Sequence, residues 1–185
     1  MLRGLESLTE HCPTVRAIDY GEHIFGSSAG AYDVGLHLDF DDQAGYMAYV
    51  ADPGHESVSR FNASVSLADQ TARVDWLPER PLSSAPGHVR HCMTFVWAEG
   101  VNGPTRDRAF DAAAKLGRAP GVVSAVVAEN AGSDPRASDL VLDVEIADTA
   151  AAAALLNGTA FADAMAAVAP AIAAGRTAGV THLSR

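Results

Sequence analysis

Thr71-Ala-Arg-Val-Asp-Trp-Leu77 and Thr177-Ala-Gly-Val-Thr-His-Leu183 are two versions of one strand-like segment, about 106 positions apart. At nearly the same shift Tyr32-Asp33-Val34-Gly35-Leu36 lies over Ser138-Asp139-Leu140-Val141-Leu142, and Pro13 and Glu22 fall on Pro120 and Glu129 with one residue more. Identity within each pair is modest. The constant offset carries the weight, and it implies two related units in tandem.

Between them, Pro78-Glu-Arg-Pro-Leu-Ser-Ser-Ala-Pro-Gly87 holds three prolines in ten residues and no apolar periodicity, as an extended linker does. The expected organisation is therefore a first module over 1–78, a linker over 79–87 and a second module over 88–185. In the second, Val89, His91, Met93, Phe95 and Trp97 share one side of an alternating run, which predicts a half-buried strand. Thr105 is placed to cap a helix carrying Phe110, Ala113, Ala114 and Leu116. Strands follow over Val122–Ala128 and Asp139–Ile146, then a long helix over Thr149–Ala174 and a last strand over Val180–Leu183. The order βαββαβ is the split-βαβ signature of ferredoxin-like α+β folds.

The first module repeats this order from its helix onward. Leu2, Leu5 and Leu8 mark a short helix, strands are expected over Val15–Tyr20 and Asp33–Phe40, a helix starts at Asp41 or Asp42, and a strand ends the module over Arg73–Leu77. Its opening strand projects upstream of Met1. That strand would occupy the middle of the sheet, and each buried backbone group left unpaired by its loss costs on the order of 1–3 kcal/mol. Three remedies are open: an upstream start to the chain, closure of the flanking strands, or a strand donated by another chain.

Composition bounds the function. The 185 residues are 48% hydrophobic and 19% charged, the balance of a chain that buries a core. A net charge of -10 spread along the sequence argues against nucleic acid and anionic lipid as partners. Cys12 and Cys92 have no C-x-x-C spacing and fit two buried thiols in a reducing cytoplasm. The apolar stretch Thr149–Ala174 is interrupted by Asn157, Asp163 and Pro170, so no membrane span is expected, and Glu6 breaks any signal-peptide core. No metal or cofactor is expected: His88 and His91 point to opposite faces of a strand, Asp39, Asp41 and Asp42 lack calcium-loop spacing, and Gly26-Ser-Ser-Ala-Gly30 reads as a flexible turn.

The segment Phe40-Asp-Asp-Gln-Ala-Gly-Tyr46-Met-Ala-Tyr49-Val-Ala-Asp52-Pro53-Gly54-His55 resembles the stress-responsive dimeric α/β-barrel family, in which an acidic turn leads into a helix and a Tyr-x-x-His-Pro-x-His-like run. Tyr49, Pro53 and His55 match, and Asp52 replaces the first histidine. Val89-Arg-His91-Cys-Met-Thr-Phe95 resembles that family's opening strand, which often carries a histidine. The resemblance implies two ferredoxin-like modules forming a pseudo-dimeric α/β barrel. It also implies candidate catalytic positions at His91, Tyr49 and His55, by likeness to a polyketide cyclase of the family. An imidazole there would remove a proton between carbonyls, and a phenol or second imidazole would stabilise the enolate. The matching residues fall in different modules: Leu155 and Phe161 stand opposite Tyr49 and His55.

Plainer roles compete with these. His55 at a Pro-Gly kink fits a surface or capping imidazole, His91 a hydrogen-bonded core histidine, and Tyr46 and Tyr49 core-facing aromatics. The expected function is a small-molecule-binding or non-catalytic barrel protein whose ligand is small and hydrophobic or aromatic. The alternative is a cofactor-independent cyclase or monooxygenase acting on an aromatic or β-dicarbonyl substrate. Pairing of the modules, or of whole chains as a homo-oligomer, would cover the strand faces such as Val34, Leu36, Leu38 and Phe40 or their alternates.

Overall fold

The computed structural model describes residues 2–25, 30–67, 71–77 and 84–185. The elements are α1 (Leu2–Glu6), α2 (Leu8–His11), β1 (Ala17–Glu22), β2 (Val34–Asp39), α3 (Gln43–Val50), α4 (Pro53–Val65), β3 (Val89–Trp97), α5 (Gly103–Ala114), β4 (Val122–Glu129), β5 (Leu140–Ile146), α6 (Thr149–Leu156), α7 (Thr159–Val168) and β6 (Ile172–Leu183). The linker expected at 79–87 lies outside the described residues as far as position 83, and so do residues 26–29 of the glycine-serine turn.

The second part of the chain forms a four-stranded antiparallel sheet in the order β4-β5-β3-β6. This is the ferredoxin-like arrangement, with the opening strand β3 inside the sheet. Alternation along β3 divides its side chains. Val89 and Phe95 pack with Leu140, Leu142, Ala113 and Val168 in the core beneath α5–α7, while Arg90, Cys92 and Thr94 point to the other face. The helices start where short polar side chains take up free amides. Asn102, and not the expected Thr105, caps α5 by accepting from the Thr105 amide at 3.0 Å. Asp148 accepts from the Ala151 amide at 2.8 Å ahead of α6.

Two sequence expectations need correction in this part. The long helix over Thr149–Ala174 is two helices bent by 53° at the break before Thr159, where Gly158 caps α7. A Cβ on Gly158 would stand 2.8 Å from the Ala154 carbonyl oxygen, so the bend needs a residue without one. Among the described residues no single helix is long and apolar enough to cross a membrane. The bent pair α6–α7 buries Ala152, Leu155, Ala164 and Val168 in the core. Pro170 sits in a last 3-10 turn, and β6 begins at Ile172, eight residues before the expected Val180.

The first part supplies a two-stranded antiparallel sheet, β1 with β2, in the register Tyr20↔Leu36 and Gly21↔Gly35. Its outer side carries Leu5, Leu8, Cys12, Val15, Tyr20 and Tyr49 in a second core. The expected single N-terminal helix is divided into α1 and α2 at Ser7. Asp42 caps α3 through the Gly45 amide at 2.8 Å, and Asp52 caps α4 through the Gly54 amide at 2.7 Å with Pro53 in the first turn. The strand expected over Arg73–Leu77 does not form. This segment bonds instead to the turn between β4 and β5: Ala131 donates to the Asp75 carbonyl at 2.7 Å and Ser138 to the Arg73 carbonyl at 2.8 Å. Among the described residues no strand stands between it and β2 with which it could form a ladder.

The two sheets face each other. Of β2, it is Gly35 and His37 that turn towards β6, while Val34, Leu38 and Phe40 pack under the helices. A Cβ on Gly21 would stand 2.7 Å from the Cβ of His182, and one on Gly35 would stand 2.8 Å from a methyl of Val180. Ile24, Gly30 and Tyr32, between β1 and β2, bond to the outer edge of β6. Tyr32 donates to the Gly179 carbonyl at 2.8 Å, Gly179 to Gly30 at 2.8 Å, and Ile24 to Thr181 at 2.9 Å.

Overpacking this approach destabilises the fold. Gly21→Ala and Gly35→Ala are each expected to lower unfolding stability by about 1–3 kcal/mol. Gly103→Ala, where an added Cβ meets nothing within 4 Å, is expected to change it by less than about 0.5 kcal/mol. Urea denaturation of the three variants checks the contrast.

Candidate functional site

Each candidate residue sits on the helix side of its own sheet. His91 lies mid-strand in β3, 7% exposed, and pairs across to Val144 of β5 and Thr181 of β6. Its Nδ1 is 2.8 Å from the Thr181 hydroxyl, and its ring meets the edge of Phe161 at 5.4 Å between centroids. The buried Nε2 has no hydrogen-bond partner. His23 approaches the same place, its Nδ1 accepting from the Thr181 amide at 3.0 Å, and Phe25 packs against the adjoining core. Burial lowers the His91 pKa to about 4, with Asp143 opposing and His23 adding to the shift. The ring is therefore neutral at physiological pH.

Tyr49 and His55 meet in the first part of the chain. Tyr49 is buried near the end of α3, His55 is half-buried in the first turn of α4, and their rings stack at 4.1 Å with 37° between planes. The kink that brings them together comes from the Asp52 cap and Pro53, which end one helix and start the next. His55 Nδ1 lies 3.2 Å from the Val50 carbonyl, and burial pushes the Tyr49 phenol up. His91 is not part of this pair, since both sheets stand between them: Tyr49 packs with Leu5, Leu8 and Tyr20 on one outer side, and His91 with Phe161 on the other.

At the expected repeat offset of about 106 from Tyr49 and His55, α6 and α7 hold Leu155 and Phe161. Leu155 is buried in the core, and Phe161 is the residue whose edge contacts His91. The helix-side site of the second part therefore combines the neutral imidazole of His91, the Thr181 hydroxyl, the His23 ring bonded to the Thr181 amide, and apolar walls. Thr181 and His23 were not singled out from sequence. Thr181 lies in the segment aligned with Thr71–Leu77 and faces the same side as His91, a signal readable from the strand alternation. His23 arrives from another sheet, and no local pattern announces it.

Between the sheets lies a second group of polar side chains. Arg90 donates to both Asp143 oxygens, through Nε at 2.9 and 3.1 Å and through a short contact from its terminal nitrogen, and reaches Asp19 at 3.5 Å. Burial works against the guanidinium charge, but the bonds to Asp143 and the field of Asp19 hold its pKa above the ordinary value. Asp19 also accepts from the Ser184 hydroxyl at 3.0 Å. His37, His182 and Cys92 complete the group.

Fold and sheet order define a ferredoxin-like α+β chain. The sequence model of the Stress responsive A/B Barrel Domain matches residues 1–77. A putative monooxygenase from Lactobacillus acidophilus NCFM is similar over 99% of this chain and 83% of its own, with 9% identity and a TM-score of 0.52, so the two share a fold. A dabb family protein with a ferredoxin-like fold from Mesorhizobium loti MAFF303099 aligns over 52% of this chain and 96% of its own, at 17% identity and a TM-score of 0.45. A dimeric ferredoxin-like protein of unknown function from Thermobifida fusca YX aligns over 57% and 99%, at 18% identity and a TM-score of 0.48. No curated protein matches the chain.

The depressed pKa of His91 fixes the sign of a pH effect. As pH falls, the unfolded chain, with an ordinary imidazole near 6.5, takes up the proton before the folded one does. The contribution of the neutral ring is complete above about pH 6.5 and is lost on the way down to about pH 4, a span of roughly 3 kcal/mol. Urea melts across that range are expected to show a steeper loss for the wild type than for His91→Gln. Parallel curves would mean that His91 titrates as in a free peptide.

Proposed function

We propose that this protein is a non-catalytic A/B barrel that binds a small aromatic or hydrophobic ligand at the helix-side site of its second module. The observation that carries the reading is the unpartnered Nε2 of buried His91 beside the edge of Phe161. A ligand hydroxyl or carbonyl would satisfy that nitrogen, according to the tautomer, while Phe161 takes an aromatic or alkyl body. Catalysis is disfavoured on two counts. An imidazole held at about 4 is a poor base for a carbon acid at neutral pH. The positions that would supply a phenol and a second imidazole hold Leu155 and Phe161 instead.

The architecture that goes with this reading is a fused pair, one module over 1–78 and the other over 88–185, joined at 79–87. The spacing of elements supports the repeat. Asp42 caps α3 and Asp148 caps α6 at the offset of about 106, and α4 and α7 begin at the same offset, at Pro53 and Thr159. Two free buried thiols, Cys12 and Cys92, fit a reducing cytoplasmic setting. Among the described residues the second edge of β2 carries no strand, and an open edge on which another copy could pair supports a homo-oligomer.

The alternative, a cofactor-independent cyclase or monooxygenase, draws on the stacked Tyr49–His55 pair. One experiment separates the two. Phenols, aromatic ketones and β-dicarbonyl compounds are screened by thermal shift and, in parallel, for turnover. The expected outcome is stabilisation by aromatic compounds, at least tenfold weaker binding in His91→Phe, and no turnover. Turnover of a β-dicarbonyl that Tyr49→Phe or His55→Gln removes would replace the binding reading with the cyclase one.

A further inference from the structure

We propose that the space between the two sheets holds a divalent transition-metal site, with zinc as its natural occupant, formed by His37 of β2, Cys92 of β3 and Asp143 of β5. One ligand atom from each of these residues lies within 4.8 Å of the other two, and all three residues are buried, at 8%, 8% and 4% exposure. Imidazole nitrogen, thiolate sulfur and carboxylate oxygen form the mixed donor set that zinc takes. With bonds of about 2.0–2.3 Å, tetrahedral ligands stand about 3.3–3.8 Å apart, so side-chain movements of about an ångström close the group on an ion.

Three independent observations point at an ion. First, the Nε2 of His37 is buried without a hydrogen-bond partner, and so is the Nε2 of His182, whose ring centroid lies 5.6 Å from that of His37. Two imidazole nitrogens without a protein partner in one layer are a departure from the rule that buried polar atoms are satisfied. The His182 ring lies beside the group without being one of its three members. Second, the layer is short of positive charge, since one guanidinium, Arg90, faces two buried carboxylates, Asp19 and Asp143. A divalent ion together with an ionised Cys92 brings this set to neutrality. Third, Asp143 is held as a ligand would be. Arg90 grips both its oxygens, and Oδ1, which takes only the 2.9 Å bond from Nε, keeps a lone pair. Asp143 also lines a small cleft with Ser84, Arg90, Ser124 and Glu145.

Binding forms a sulfur–metal bond as the Cys92 S–H bond breaks and its proton passes to solvent, while His37 binds through its neutral ring nitrogen. Burial favours the protonated thiol and the neutral imidazole when no ion is there. Affinity therefore rises with pH.

The test uses the full chain stripped with a chelator. Equilibrium dialysis with elemental analysis is expected to find one zinc per chain, and the cobalt-loaded protein to show a thiolate-to-cobalt charge-transfer band in the near ultraviolet. Cys92→Ser is expected to lose the band and to bind at least about tenfold more weakly, and His37→Gln to weaken binding similarly. Cys12→Ser, whose sulfur lies in the other core, keeps both signals. Sub-stoichiometric uptake by the wild-type chain overturns the proposal without reference to any variant. A cobalt band that survives Cys92→Ser and disappears in Cys12→Ser overturns it as well.

Discussion

A guanidinium enclosed by two carboxylates on facing sheets is the constraint around which the rest is arranged. Arg90, 3% exposed, stands on β3, Asp143 beside it on β5, and Asp19 opposite on β1. Removing one member of such a buried group leaves an uncompensated charge, an effect of about 3–5 kcal/mol, whereas the complete set contributes far less to net stability. Its strength is therefore positional. Only one alignment of the sheets lets Arg90 reach both acids, and that alignment brings Gly21 and Gly35 against His182 and Val180, where a side chain would not fit. The larger apolar groups lie in the two outer layers beneath the helices, and a smaller one, Cys92, Val141 and Val180 with Val74 and Trp76, flanks the charges between the sheets.

What the sequence discloses follows from this division. Strand alternation in Val89–Trp97 identifies which side meets helices, and the acidic cap at Asp41 or Asp42 is legible because it depends on a neighbour three positions away, Gly45 bonding to Asp42. Elements defined by distant partners are not legible. Thr71–Leu77 has strand-like residues but takes its backbone bonds from the turn near Asn130–Ser138, so it stays extended without a ladder. The alanine run after Thr149 has helical propensity throughout, yet Gly158 bends it and the register of β6 against β3 claims its end. The proximity of His37, Cys92 and Asp143 is illegible for the same reason. His37, Cys92 and Asp143 are each solitary in sequence, and only the packing of three strands gathers them.

The helix-side residues tell a related story. His91 meets Phe161 beneath the helices, whereas His55 in the first part of the chain meets Tyr49. Surrounded by apolar groups, the ring loses basicity and gains a fixed orientation through Thr181. The half of the chain with the histidine strand lacks the aromatic–imidazole stack, and the half with the stack has no such strand among the described residues. Division of labour between sites of unequal chemistry is open to a single chain in a way that it is not to a strict two-fold pair.

Because β1–β2 and the four-stranded sheet are covalently one molecule, their contact is a first-order event. Two separate subunits would part as a solution is thinned, but here the local concentration of one face about the other is set by the tether and stays constant. Nor must the faces be copies of each other. Asp19 can answer Arg90 without any reciprocal pair, and mutations on one surface are free to accumulate without appearing twice in the same interface.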